Sequence, residues 1–194
     1  MNTFNFTTFL TSNIDIERQY LDKLLDSCKV KQVAKGEYLV RVGEHCHHSF
    51  FVEKGLLRQF SIDDKGKEHI IQFAPENWFV TDRESVYFDQ PSKFFIQAVE
   101  DSTVLFLEEH FIAALAREDQ AFADFNNRLL HNHIRHLQKR INLLLSASAE
   151  ERYLDFVKTY PDVLLRVPQT MVASYLGITP ESLSRVRKEL ASRY

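Results

Sequence analysis

The apolar positions of this chain change rhythm several times. Over residues 15–27, Ile16, Tyr20 and Leu24 recur at helical spacing, which predicts a short amphipathic helix. From Val30 onward, short apolar runs are separated by Gly36, Gly43, Gly55, Gly66 and Pro75. The runs 49–52, 56–62, 69–73, 94–99 and 103–107 read as strands, and Asp63-Asp-Lys-Gly-Lys67 reads as a hairpin turn. Many short strands punctuated in this way predict an antiparallel sandwich, barrel or jelly roll. No glycine occurs between Gly66 and Gly177, and Pro161 is the only proline from Glu108 to Arg166. That interval is therefore free to be helical.

The clearest periodicity lies inside it. Written as heptads, Asn127, Ile134 and Ile141 fall at a, and Leu130, Leu137 and Leu144 fall at d. Ile at a with Leu at d favours a parallel two-stranded coiled coil, and a single Asn at a fixes register. The pattern also fits one amphipathic helix packed on its own domain. Ser146-Ala-Ser-Ala-Glu-Glu-Arg152 breaks the seam. Ser148 and Glu151 have capping-box spacing, which predicts a new helix starting near Ala149 and ending before Pro161.

The segment from Val167 to Leu190 reads as helix, turn, helix. Pro168 suits a helix start, and Met171, Val172, Tyr175 and Leu176 supply an apolar face. Gly177 suits the left-handed stop, Ile178 the buried turn position, Thr179 the next cap and Pro180 the first helical position. Ala173 is small where two crossing helices approach closely. Leu183, Val186 and Leu190 face the body, which leaves Glu181, Ser182, Ser184, Arg185 and Lys188 outward. A helix-turn-helix places the N-terminal residues of its second helix on base edges. Arg185 suits guanine, Glu181 can accept from cytosine, and Ser182, Ser184 and Lys188 suit phosphate or base contacts.

Composition sharpens this only in places. Sixteen Phe, seven Tyr and one Trp give ample core material, so general disorder is excluded. No apolar run approaches membrane-spanning length, and the N-terminus has no basic region followed by an apolar stretch. A cytoplasmic location and no membrane partner are the expectation. The net charge of −3 is unevenly spread. Five basic against two acidic residues from Arg166 onward give a tail of +3 and leave −6 on the rest. A basic tail on an acidic body points to phosphate.

Together these parts resemble the cyclic-AMP receptor protein/FNR (Crp/Fnr) superfamily of bacterial transcription regulators over nearly the whole chain. Val42-Gly-Glu44, Phe50-Phe-Val-Glu-Lys-Gly55 and Ile96-Gln-Ala-Val-Glu-Asp101 look like its cyclic-nucleotide-binding jelly roll. The Asn127–Leu144 seam looks like its dimerisation helix, and Leu176-Gly-Ile-Thr-Pro-Glu-Ser-Leu-Ser-Arg185 like its DNA-reading motif. The resemblance implies an α+β fold with a sensor jelly roll over residues 1–118, a dimerisation helix over 119–147 and a helix-turn-helix domain over 148–194. It further implies a homodimer that reads a pseudo-palindromic site on double-stranded DNA and contacts RNA polymerase.

Members that bind cyclic nucleotides carry a Gly-Glu-Leu segment and an Arg-Ser or Arg-Thr pair. Here the matching regions read Pro75-Glu-Asn-Trp-Phe-Val-Thr-Asp82 and Gln90-Pro-Ser-Lys-Phe-Phe95, with Ser92 where the arginine would be. Lys93 falls on the opposite face of the expected strand. Cyclic AMP is therefore not the expected ligand. Trp78, Phe79, Asp82 and Lys93 are the candidate wall of a pocket for a different small effector, between the jelly roll and the long helix.

His45-Cys46-His47-His48 lacks a further ligand at zinc spacing, so no metal is expected. His131, His133 and His136 lie off the a/d seam, and Cys28 and Cys46 have no electropositive setting. No phosphate loop, nucleophile elbow or carboxylate pair supports an enzyme, and no catalytic residue is assigned. Two functions remain: a DNA-binding regulator, or a small-molecule sensor whose helical tail binds a protein.

Overall fold

The structure, a computed structural model, describes residues 5–193. The ends of the expected first and last domains, residues 1–4 and Tyr194, lie outside the described residues. The chain divides into two compact units, one comprising residues 1–61 and 72–131, the other residues 62–71 and 132–194.

The first unit opens with α1 (Asn5–Asn13) and α2 (Arg18–Ser27). The strands that follow are β1 (Lys29–Val33), β2 (Tyr38–Val40), β3 (His48–Lys54), β4 (Leu57–Ile62), β5 (Glu68–Ala74) and β6 (Phe79–Val80). Then come α3 (Arg83–Phe88), β7 (Phe95–Ala98), β8 (Ser102–Glu108), α4 (Glu109–Glu118) and the long α5 (Gln120–Ser146). The strands form two four-stranded sheets, ordered β1-β8-β3-β6 and β2-β7-β4-β5. The pairs of β8 with β1 and β3, of β3 with β6 and of β7 with β2 and β4 are antiparallel.

Two apolar clusters explain why Phe50-Phe-Val52 is continuous rather than alternating. Phe50 and Val52 join Val33, Val40, Leu57, Ile96, Ala98 and Val104, drawn from both sheets. Phe51, pointing the other way by the two-residue period, joins Phe6, Leu24, Leu105, Leu107 and Phe125 beneath the helices. The sheet containing β3 and β8 is therefore buried on both faces. Phe51 packs its ring against Phe6 at 4.9 Å, Phe79 at 5.0 Å and Phe9 at 5.4 Å.

Sequence pattern and structure differ at identifiable places. The helix expected from residue 15 starts at Arg18, because Glu17 is its extended cap. Helix α1 is an addition to the expected elements. Its Phe6 and Leu10 are buried, and the buried Glu53 carboxylate accepts the Phe6 N–H at 2.8 Å. A carboxylate at the helix N-terminus satisfies an orphan donor and opposes the helix dipole favourably. Lys93 lies before β7 rather than on the face of a strand, and its ammonium pairs with Glu84 at 2.8 Å.

The second unit contains the tip of the β4–β5 hairpin, the C-terminal part of α5, and four further helices. These are α6 (Ala149–Thr159), α7 (Val163–Arg166), α8 (Gln169–Leu176) and α9 (Pro180–Ala191). The Ser148–Glu151 capping box forms as its spacing predicts. Phe156, Tyr160 and Tyr175 meet at ring separations of 5.2–5.5 Å and form the centre of this small core. At the hairpin tip, Asp63 Oδ1 accepts the N–H groups of Lys65 and Lys67, which closes the expected turn.

Candidate nucleic-acid interface

The turn between α8 and α9 is built from local chemistry. Gly177 adopts φ 66° and ψ 33°, the left-handed region. Its N–H donates to Ser174 O at 3.1 Å, and the Ile178 N–H donates to Ala173 O at 3.0 Å. These two bonds are the Schellman arrangement, which satisfies the last carbonyls of a helix. Thr179 then caps α9: its Oγ1 accepts the Ser182 N–H at 3.2 Å, and Pro180 takes the first position.

Successive residues of a helix advance by about 100°, so α9 divides into faces. Leu183 and Val186 are buried, and Leu190 is half-buried beside them. Glu181, Ser184, Arg185 and Lys188 form the opposite stripe, and all four are exposed. Ser182 sits on the flank, half-buried, and its Oγ accepts from the Thr179 hydroxyl at 3.2 Å. Bonds from its own backbone N–H and from the Thr179 hydroxyl hold the Glu181 carboxyl below the usual range, so it stays ionised.

Sequence reasoning left out three exposed side chains of α8 and α9. Arg187 is exposed on the other flank of α9, and Gln169 and Thr170 are exposed on the first turn of α8. The signal for the latter pair was the Pro168 boundary, because a helix N-terminus offers N–H groups to phosphate. Arg193 is committed elsewhere, to Glu150 of α6. Among the described residues Arg185, Arg187 and Lys188 form no ion pair, so their charge is available to an external anion.

Three further side chains fix the end of α8. Arg140 of α5 donates from Nη2 to Tyr175 O at 3.0 Å and to Ile70 O at 2.8 Å, with its guanidinium 3.5 Å from the Tyr175 ring centroid. Arg152 of α6 donates to Leu176 O at 2.7 Å. Cations at a helix C-terminus complement its dipole. Ser174 bonds the hairpin tip.

On α5, Asn127 is exposed and Leu137 half-buried. Leu130, Ile134, Ile141 and Leu144 are 37%, 41%, 56% and 42% exposed in the single chain. Branched apolar side chains repeated along one helix at that exposure are available to a second surface.

The pocket residues of the first unit are not brought to one wall. Trp78 packs against the inter-sheet cluster, and Phe79 against the cluster beneath the helices. Asp82 is buried and caps α3, its Oδ1 accepting from Glu84 N and Ser85 N. Its Oδ2 accepts from the Ser92 hydroxyl at 2.5 Å, and Ser92 is itself buried. Lys93 turns outward to Glu84. A buried carboxylate thus stands behind the position where the resemblance expects a phosphate-binding arginine.

Burial raises the Cys28 thiol to about 11 and pushes Cys46 up as well, which disfavours the reactive thiolate. Among the described residues no group of three His, Cys, Asp or Glu side chains could hold a metal ion. No described helix is long and apolar enough to cross a membrane.

Residues 30–119 match the cyclic nucleotide-binding domain family. The chain is 25% identical over 181 residues to the anaerobic regulatory protein of Pasteurella multocida, covering 88% of this chain and 65% of that protein. It is 26% identical, again over 181 residues, to the fumarate and nitrate reduction regulatory protein of Vibrio cholerae, covering 88% of this chain and 71% of the relative. The chain is thus similar to regulatory proteins over most of its length. Its fold matches that of FixK2 from Bradyrhizobium japonicum at TM-score 0.73 and 20% identity, over 86% of this chain and 85% of that one. Within the chain the matched domain covers β1 to β8 and α4, and α8–turn–α9 lies beyond it. The chain spans about two thirds of the length of these curated regulators.

Proposed function

We propose that this chain is a transcription regulator of the Crp/Fnr type that binds double-stranded DNA as a homodimer and works with RNA polymerase. The observation that carries the reading is the α8–α9 turn. Its Schellman stop and Thr179 cap present Glu181, Ser184, Arg185 and Lys188 outward while Leu183 and Val186 hold the helix from behind. Arg185 reads a base, and Lys188 and Arg187 neutralise phosphates. Glu181 is engaged at the cap, so its contribution is to the start of α9 as well as to a base edge. The uncovered stripe of α5 supplies the dimer contact, and a two-fold protein reads two half-sites about 34–36 Å apart or a multiple of that.

The effector is a small molecule other than cyclic AMP. The buried Ser92–Asp82 bond supports this: a cyclic phosphate placed there meets a carboxylate rather than a guanidinium.

The test is a binding titration on a selected operator and on its single-base variants at several salt concentrations. Arg185→Ala costs about 1–3 kcal/mol and relaxes preference at one base pair per half-site. Lys188→Ala weakens all sequences alike and lowers the salt slope by about one. Equal loss on every variant makes Arg185 a phosphate contact. No loss from either substitution refutes DNA reading by α9 and favours a protein partner for the helical tail, whose binding would not follow that salt slope.

A further inference from the structure

The order β2-β7-β4-β5 leaves β5 at an edge of its sheet. An edge strand presents a row of N–H and C=O groups with no strand to pair them. On such a strand, residues two apart direct their backbone groups to the same side. Glu68 and Ile70 are such a pair, and their outward groups meet side chains of the helical unit. The Ser174 hydroxyl of α8 donates to Glu68 O at 2.7 Å and accepts the Ile70 N–H at 3.0 Å. The next edge group, Ile70 O, accepts from Arg140 Nη2 at 2.8 Å, and the same nitrogen donates to Tyr175 O at 3.0 Å. One hydroxyl thus closes a strand edge, across more than a hundred residues of sequence, from the turn that immediately precedes Gly177.

We propose that Ser174 is a positioning residue for DNA reading: it makes the tip of the β4–β5 hairpin a structural part of the α8–α9 module. The chemistry is specific to a hydroxyl, because the edge offers one acceptor and one donor side by side and a hydroxyl serves both at once. Alanine leaves both backbone groups unpaired. Threonine keeps both bonds. Arg140 reinforces the strap and joins it to the end of α8, where the orientation of α9 is set. A motif held in this way meets DNA already ordered and spends less of its binding energy on ordering.

The proposal rests on the DNA-binding reading above, so its test has one arm that needs no DNA. Full-length wild type, Ser174→Ala and Ser174→Thr are compared by amide hydrogen exchange at Ile70 and by affinity for a selected operator. Ser174→Ala is expected to speed exchange at Ile70 about tenfold and to weaken operator binding several-fold, with helix content unchanged. Ser174→Thr stays within about twofold of wild type in both. Unchanged exchange at Ile70 in Ser174→Ala overturns the strap, whatever the DNA result. Faster exchange with unchanged operator affinity overturns the positioning role. A wild type that binds no DNA refutes the DNA reading and the positioning role together, while its Ile70 exchange still reports on the strap alone.

Discussion

Replacing Gly177 with alanine tests whether the left-handed stop sets the DNA-reading turn. An L-residue in the left-handed helical region costs about 1–2 kcal/mol. The surroundings add little. A Cβ built at Gly177 lies 3.3 Å from Leu144 Cδ2 and 3.5 Å from Arg152 Nη1, both at the ends of flexible side chains. Leu144 is 42% exposed and can shift by the few tenths of an ångström required. Loss of glycine's freedom in the unfolded chain returns about 0.4–1 kcal/mol. The net expectation is a loss of about 1 kcal/mol, or roughly 2–4 °C in Tm for a chain of this size. Asparagine tolerates this conformation better, so Gly177→Asn should lose less than Gly177→Ala. Urea unfolding of the three proteins measures the difference, and operator titration reports whether α9 is still presented. Equal stability of Gly177→Ala and wild type would refute the claim that positive φ is required there. The reverse order, with asparagine worse than alanine, would show that bulk near Leu144 dominates over backbone strain.

Three further outcomes are expected. Leu137→Asp with Ile141→Asp puts charges into the uncovered stripe of α5 and gives monomers with unchanged helix content; a dimer in sedimentation would sink the coiled-coil reading. Calorimetry with cyclic AMP shows no saturable heat, and micromolar binding at one site per protomer would overturn the argument from Ser92 and Asp82. Burial, with the Arg140 and Lys139 cations against the Asp155 carboxylate, lowers the His136 imidazole below its usual pKa. The unfolded chain then binds a proton near pH 6.5 that the folded one resists, so stability falls as pH drops below that value. Burial shifts His48 the same way, so His136→Gln should flatten, not abolish, the decline in urea midpoint between pH 7.5 and 5.5. Identical slopes in the two proteins would refute the assignment to His136.

Much of the helical half was legible in the sequence because its determinants are local. Ser148 and Glu151, Gly177, Thr179 and Pro180 act within four residues of themselves, and each performs in the structure the capping or stopping role its spacing implies. The a/d repeat likewise gave α5 its extent, and the Gly- and Pro-punctuated runs located the longer strands. What the sequence lacked was any account of partners distant along the chain. Helix α1 carries a single short apolar set, Phe6, Phe9 and Leu10, and it is held by Phe51 and Glu53, more than forty residues away. Trp78 and Phe79 are neighbours in sequence, yet they serve different cores, because β6 begins at Phe79 and successive residues of extended chain point to opposite sides. Asp82 looked like a free carboxylate for a ligand until the chain brought Ser92 and the first turn of α3 onto it. Ser174 reads as an ordinary polar position of a helix, and only the tertiary fold sets it against the open edge of β5. The division follows from physics: caps, turns and periods are encoded in nearest neighbours, whereas the occupancy of a buried polar group depends on which distant surface folding delivers to it.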